Sequence, residues 1–175
     1  MVSSKTSTMP PTPISEKDFR EALGHFVTGV TVVTVELAPG QVHGMTANSF
    51  TSVSLHPPLV LVCVDRRARL LSLLKEKRPF GVSVLKQGQE AWSEYFAKGI
   101  LNAEAEERLG VRYRWIRRGV PVIDGTLAQL ACTLVASHLS GDHTIFVAKV
   151  DAAEAHTGEP LLFFRGAYHE ISPRR

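Results

Sequence analysis

The sequence predicts a mainly β domain with a few helices, folded as a closed or half-open antiparallel barrel. Three observations carry this. Short β-branched runs recur along the chain, joined by Gly, Pro, Asp and Ser turn signals. Only a few amphipathic stretches interrupt them. Strand and helix do not alternate regularly, so a parallel doubly wound sheet is disfavoured. At 175 residues one domain with a core of useful size is expected. Hydrophobic residues at 44% and charged residues at 21% suit a soluble globular chain.

Residues 1–14 are rich in Ser, Thr and Pro and lack the apolar centre of a signal peptide, so a mobile arm is expected there, with the domain over 15–175. Residues 15–25 read as a helix: Ser15 caps it, Glu16 and Asp18 suit its positive end, and Phe19, Leu23 and Phe26 are expected to face the core. Residues 30–37 are strand-like, Ala38-Pro39-Gly40 is a turn, and residues 41–50 return antiparallel. Leu59 to Val64 is an unbroken apolar run, expected to be a strand buried on both faces.

A short helix over 68–77 is stopped by Pro79, and residues 80–85 form a strand. Residues 88–98 form a helix that crowds Trp92, Tyr95 and Phe96 together, and 102–110 a further helix or loop. Residues 113–117 and 120–123 suit short strands. Residues 126–138 permit a helix by composition, but Ala128, Leu130, Cys132, Leu134 and Ala136 alternate, and the turn Ser140-Gly141-Asp142 follows, so a strand is chosen. Residues 143–150, 161–164 and 167–171 complete the strands.

Several functions are disfavoured. The net charge of +3 favours an anionic ligand such as a phosphate or dinucleotide, but no Lys/Arg run is interleaved with aromatics, so nucleic acid is not expected as a partner. The densest basic cluster is Arg66, Arg67 and Arg69; a second, Arg112, Arg114, Arg117 and Arg118, reads as solvated surface. No Gly-x-Gly-x-x-Gly or phosphate-loop motif marks a Rossmann or nucleotide-triphosphate module. The seven histidines lack metal spacing, and no hydrolase nucleophile elbow occurs. No segment reaches the roughly 18 apolar residues of a membrane span. Cys63 and Cys132 lie far apart in apolar runs and read as buried free thiols, which suits the cytoplasm.

The stretch of chemical interest runs from Gly44 to Val64. Small hydroxyl and amide residues come first, then Pro57-Pro58 and the apolar strand. Short polar residues let a flat, polar-edged ligand approach backbone N–H groups; an ordinary Ser/Thr-rich strand and turn is the competing reading. Gly44-Met45-Thr46-Ala47-Asn48-Ser49-Phe50, then Ser52-Val53-Ser54, then Pro57-Pro58-Leu59-Val60 resembles the signature of the flavin reductase family. Three further segments agree in order: Phe26 to Thr34, Gly141-Asp142-His143 to Val147, and Pro160 to Tyr168. The resemblance spans roughly residues 15–171.

That resemblance implies a split β-barrel of Greek-key order, a homodimer, and transfer of a hydride from NAD(P)H to FMN or FAD, with FMN slightly preferred and the reduced flavin supplied to a partner monooxygenase. The cofactor carries the electronic work, and the protein binds and positions. The implied flavin edge is held by Met45, Thr46, Ala47, Asn48 and Ser49, with Thr28, Gly29 and Val30 as a wall. Ser52 and Ser54 reach towards the ribityl chain or phosphate; an inward-pointing, structural serine is the alternative for one of them. Cys63, Val64, Asp65, Arg66, Arg67 and Arg69 occupy the phosphate-gripping segment. Relatives commonly carry consecutive serines and a threonine there, where this chain has Arg67-Ala68 and Leu70, so Arg guanidinium groups and helix-start N–H groups would take over.

Phe96 and Ala97 would pack near the dimethylbenzene side; a helix core face is the alternative. His143 is implied as the residue that receives the nicotinamide nucleotide. It is given no acid or base role, because positioning within roughly 3–3.5 Å is what hydride transfer needs. Arg165 is implied at a phosphate or pyrophosphate and Tyr168 in stacking, including at the dimer seam; a surface hairpin is the alternative for both. Two competing functions are a non-catalytic flavin- or haem-binding split barrel and a pyridoxamine-phosphate-oxidase-like enzyme.

Overall fold

The computed structural model describes residues 13–76, 78–99 and 102–171. Most of the expected N-terminal arm, residues 1–12, and the expected end of the second helix at residue 77 lie outside the described residues. Four helices and twelve strands are formed among the described residues. Helix α1 (Glu16–Gly24) begins at Ser15, whose Oγ accepts the Asp18 N–H at 3.1 Å and donates to the Asp18 carboxylate at 2.7 Å. Strands β1 (Thr28–Gly29), β2 (Thr31–Ala38), β3 (Gln41–Ala47), β4 (Phe50–Leu55) and β5 (Pro58–Asp65) follow. Next come α2 (Arg69–Lys75), β6 (Phe80–Val84), α3 (Glu90–Ala97) and α4 (Ala103–Arg108). A hairpin of β7 (Tyr113–Arg117) and β8 (Val120–Ile123) leads to the two longest strands, β9 (Ala128–Ser140) and β10 (His143–Ala155). The hairpin β11 (Leu162–Phe164) and β12 (Ala167–His169) ends the fold.

The ladders are antiparallel. The main sheet has seven strands in the order β3-β2-β6-β9-β10-β5-β4. Its two edge strands, β3 and β4, are consecutive in the chain and are linked only by Asn48 and Ser49. A three-stranded sheet, β1-β11-β12, and the β7-β8 hairpin flank it. The alternation read in residues 126–138 is a strand, as expected, and it continues to Ser140.

Two cores form on opposite sides of β2. Val33 and Val35 join Val60, Val62, Val64, Phe80, Phe146 and the α2 leucines Leu70, Leu73 and Leu74. Val30 and Val32 join Leu85, Phe96, Val111, Ile123 and Leu161. Strand β2 is therefore buried on both faces, from Thr31 to Val35, as are β6 from Phe80 to Ser83 and β8 throughout. This corrects the expectation for Leu59 to Val64. Strand β5 buries only Val60, Val62 and Val64, while Leu59, Leu61 and Cys63 remain half-buried. Its outer face lines the cleft under α1 and is only partly covered by the described residues.

Helix α1 also departs from expectation. It buries no residue, and Phe19, Leu23 and Phe26 are 53%, 53% and 74% exposed. Helical periodicity specifies that one face is apolar; it does not say what covers that face. Here α1 lies outside the sheet, tied to the β11-β12 turn by the Arg165 N–H, which donates to the Gly24 carbonyl at 3.0 Å. Arg165 has φ of 50°, followed by Gly166 at 80°, the left-handed pair that a two-residue hairpin turn requires.

Candidate functional site: two clefts that meet at Asn48

The link between β3 and β4 lies between two clefts. The first, of about 690 Å³, runs over β3 between the start of α2 and the end of α3. Its basic rim comprises Arg67, Arg69 and Lys98, and its walls include Val30, His43, Met45, Thr46, Asn48, Asp65, Ala68, Leu70, Ser93, Ala97, Gly99, Phe163 and Tyr168. The second, of about 850 Å³, is mostly apolar and lies under α1. Phe19, Leu23, Phe26, Val27, Thr28, Gly29, Ser49, Phe50, Leu61, Cys63 and Arg165 line it. Asn48 and Phe163 line both.

The fold brings Met45, Thr46 and Asn48 to the same cleft as Asp65, Arg67 and Arg69, twenty residues further on, although β3 and β5 stand first and sixth in the main sheet. Asn48 is exposed and Thr46 half-buried, so this stretch faces open space. The wall formed by Thr28, Gly29 and Val30 is divided: Val30 belongs to the basic cleft, Thr28 and Gly29 to the apolar one. Arg165 and Tyr168 also fall on opposite clefts.

Hydrogen bonding changes what the small hydroxyls can offer. Thr46 Oγ1 donates to the Ser93 carbonyl at 2.7 Å, and Ser49 Oγ donates to the Cys63 carbonyl at 2.8 Å. Each hydroxyl hydrogen is thus spent on tertiary structure, leaving a ligand only an oxygen lone pair and the backbone. The Tyr168 hydroxyl donates to Ser93 Oγ at 2.9 Å, and its ring meets Phe163 edge-on with centroids 5.6 Å apart. Thr28 Oγ1 is buried with no partner in the apolar cleft.

At the rim, Arg67 clamps Asp65. Its Nε and Nη2 donate to the two carboxylate oxygens at 3.1 and 2.7 Å, and its backbone N–H donates at 2.8 Å. These bonds, the side-chain ones first, hold the Asp65 carboxyl well below the usual carboxylate range. Arg67 is thereby engaged, whereas Arg69 and Lys98 form no salt bridge among the described residues. Helix α2 has seven residues, and Ala68 gives it no side-chain cap.

His143 pairs with Asp65 across β10 and β5, one strand in from the cleft rim. Its Nδ1–H donates to the Asp142 carboxylate at 2.7 Å, which fixes the ring and lowers the Asp142 carboxyl. The Arg66 N–H donates to the Asp142 carbonyl at 3.0 Å, joining this turn to the end of β5. Neither His143 nor Arg66 lines a cleft.

Five further expected residues line neither cleft. Val64, Phe96 and Ala47 are buried at 0%, 2% and 6% exposure, so their backbone is what they can offer a ligand. Phe96 packs under Gly44, where a methyl group would stand 2.5 Å from the ring. Ser52 and Ser54 lie along edge strand β4, next to Thr51 of the apolar cleft, and line neither cleft themselves. Of the residues the sequence reading missed, Ser93 lies one helical turn before Ala97 and was within reach of a periodicity argument. His43 directly precedes the Gly44 motif. Lys98 carried no signal, and Phe163 stood inside the Pro160 to Tyr168 motif without a role assigned to it. Burial raises the Cys63 thiol and pushes Cys132 up to about 12; both are free.

Residues 23–172 match the flavin reductase like domain. The chain belongs to the flavin reductase family. It is 46% identical over 154 residues to an NADH-dependent flavin reductase of a Rhodococcus species, covering 87% of this chain and 84% of that protein. It is 41% identical over 154 residues to the reductase component of 4-hydroxyphenylacetate 3-monooxygenase from Thermus thermophilus, covering 87% of this chain and 95% of the relative. A solved NADH:FAD oxidoreductase of Streptomyces globisporus, in complex with NAD and FAD fragments, superposes with a TM-score of 0.81 at 39% identity, covering 93% of this chain and 98% of the other.

Proposed function

We propose that this protein is an NAD(P)H:flavin oxidoreductase that reduces FMN or FAD and supplies the reduced flavin to a partner monooxygenase. The observation that carries this reading is the basic cleft, where the Met45 to Asn48 edge meets Arg69 and Lys98. Its volume of about 690 Å³ suits a bound small molecule, and its donors suit a ligand with a polar flat edge and an anionic tail. When bound, the flavin supplies the redox chemistry, accepting a hydride from the nicotinamide.

The residues bind and orient. Asn48 offers an amide donor and acceptor at the junction of the clefts. Arg69 and Lys98 answer phosphate charge, Arg67 being held by Asp65. Ser93 and Tyr168 brace Thr46 and the wall of the ring site. We assign His143 to receiving the nicotinamide nucleotide: Asp142 fixes its Nδ1, leaving Nε2 for a ligand. Arg165 and Thr28 face the neighbouring cleft and serve the same nucleotide from that side.

Supporting the split barrel, β3 and β4 are one run of chain at both sheet edges, so their two-residue link draws the edges together. Supporting a homodimer, Phe19, Leu23 and Phe26 on α1 and Leu61 and Cys63 on β5 form an uncovered apolar surface. We place the reductase domain from residue 15 onward and the protein in the cytoplasm, where its two thiols stay reduced. No helix among the described residues is long and apolar enough to cross a membrane.

The test is a two-by-two assay of NADH or NADPH with FMN or FAD, following loss of the reduced-nicotinamide absorbance. Turnover with at least one pair is expected. Bound yellow cofactor without turnover in any pair would refute the enzyme reading.

A further inference from the structure

One group in the basic cleft is explained neither by packing nor by the roles assigned above. His43, on β3, is 1% exposed and lines the cleft beside Met45 and Leu70. Its Nδ1 is sealed from solvent and has no hydrogen-bond partner among the described residues. Folded proteins leave few buried polar nitrogens unpaired, and an apolar ring would fill the same space without that cost. The flanking residues show the contrast: Val42 and Val35, its neighbour along β3 and its partner on β2, are apolar and buried.

The protonation state follows from two causes. Burial first, and the Arg69 guanidinium second, disfavour imidazolium and lower the His43 pKa. A neutral imidazole has one N–H donor and one bare nitrogen acceptor. A phosphate accepts only, and Arg69 and Lys98 already answer it. A hydroxyl can meet either nitrogen, donating to the bare one or accepting from the N–H, whereas a phosphate can meet only the N–H. In a nucleotide, hydroxyls of this kind lie next to phosphate, as His43 lies next to Arg69.

We propose that His43 is a ligand-binding residue whose imidazole pairs with a sugar-type hydroxyl of the nucleotide bound in the basic cleft. The proposal rests on the flavin reductase reading. The hydroxyl has two possible sources, the ribityl chain of the flavin and the ribose of the nicotinamide nucleotide.

The variant His43→Phe keeps the ring volume and removes both nitrogens. Dissociation constants are measured for lumiflavin (which lacks the ribityl chain), riboflavin, FMN and NAD⁺, together with the urea midpoint of the unliganded protein. The unliganded variant is expected to be as stable as the parent or more so, while binding weakens about threefold to tenfold. A ribityl partner predicts weaker riboflavin and FMN with unchanged lumiflavin. A ribose partner predicts weaker NAD⁺ with all three flavins unchanged. His43→Gln, which retains a donor and an acceptor, should recover part of the loss. As a readout independent of folding in the variant, the ¹⁵N imidazole resonances of wild-type His43 should shift on saturation with FMN or NAD⁺. Unchanged affinities in His43→Phe, lumiflavin weakened as much as riboflavin, or unmoved ¹⁵N resonances at saturation would each overturn the assignment while leaving the reductase reading intact. A wild-type protein that bound none of the four ligands would overturn both.

Discussion

The two clefts beside Asn48 are built on opposite plans. The basic cleft is completed by its own chain: Asp65 is clamped by Arg67, Thr46 is bonded to Ser93, and Tyr168 is braced on both Ser93 and Phe163. The apolar cleft is left open. Phe19 and Leu23 are each 53% exposed on a helix that buries nothing. Polar groups can satisfy one another within one chain, because hydrogen bonds and ion pairs need only a partner at the right distance. Apolar surface is satisfied only by removal from water, and what the described residues leave uncovered needs something further to cover it. The first cleft therefore suits a small anionic ligand, while the second, beyond its Thr28 and Arg165 side, offers an apolar surface to a larger body.

This contrast can be broken in four ways. The largest effect is expected from Leu23→Asp with Phe26→Asp, which places charge on the apolar side only. Sedimentation should show dimers turning to monomers, with a dimer dissociation constant raised roughly a hundredfold or more, as for loss of central interface anchors. A monomeric wild type would remove this half of the contrast.

Next, Arg69→Ala with Lys98→Ala acts on the basic side only. FMN should bind about thirtyfold more weakly, at the scale of lost charge-assisted hydrogen bonds, and lumiflavin should be unaffected. Equal losses for both would show that the rim does not read phosphate.

A smaller effect is expected below the basic cleft. Gly44→Ala sets a methyl 2.5 Å from Phe96 Cδ1, in a ring that is 2% exposed. Unfolding in urea should show a loss of about 1–3 kcal/mol, the usual cost of overpacking. The oligomeric state should not change.

The smallest effect concerns the clamp on Asp65. Its folded-state pKa lies below the unfolded one, so its contribution to stability is present above about pH 4, near the unfolded value, and is lost as pH falls through the depressed folded value. Asp65→Asn should be slightly less stable than wild type at pH 6, and urea midpoints should converge as pH is lowered below 4. A gap that widens in acid would contradict the clamp.

Much of the secondary structure was legible. Ser15 announced the start of α1, and the period-two pattern from Ala128 to Ala136 identified β9 despite its helix-permitting composition. These are local properties, carried by a few neighbouring residues. The site was legible as a stretch but not as a set of contacts. Met45, Thr46 and Asn48 do line a cleft, yet the hydroxyls of Thr46 and Ser49 turn to carbonyls 47 and 14 residues away. His43 was passed over because a histidine beside a glycine has no local mark of burial.

By itself, the sequence determined the strand periods, the helix caps and the grouping of small polar residues with a nearby arginine cluster, since each depends on spacing along the chain. Tertiary structure alone decided which strands are buried twice, which hydroxyls are spent, and that α1 meets no cover among the described residues. Those outcomes depend on what the rest of the molecule brings within a few ångströms, and side-chain pattern does not encode that distance.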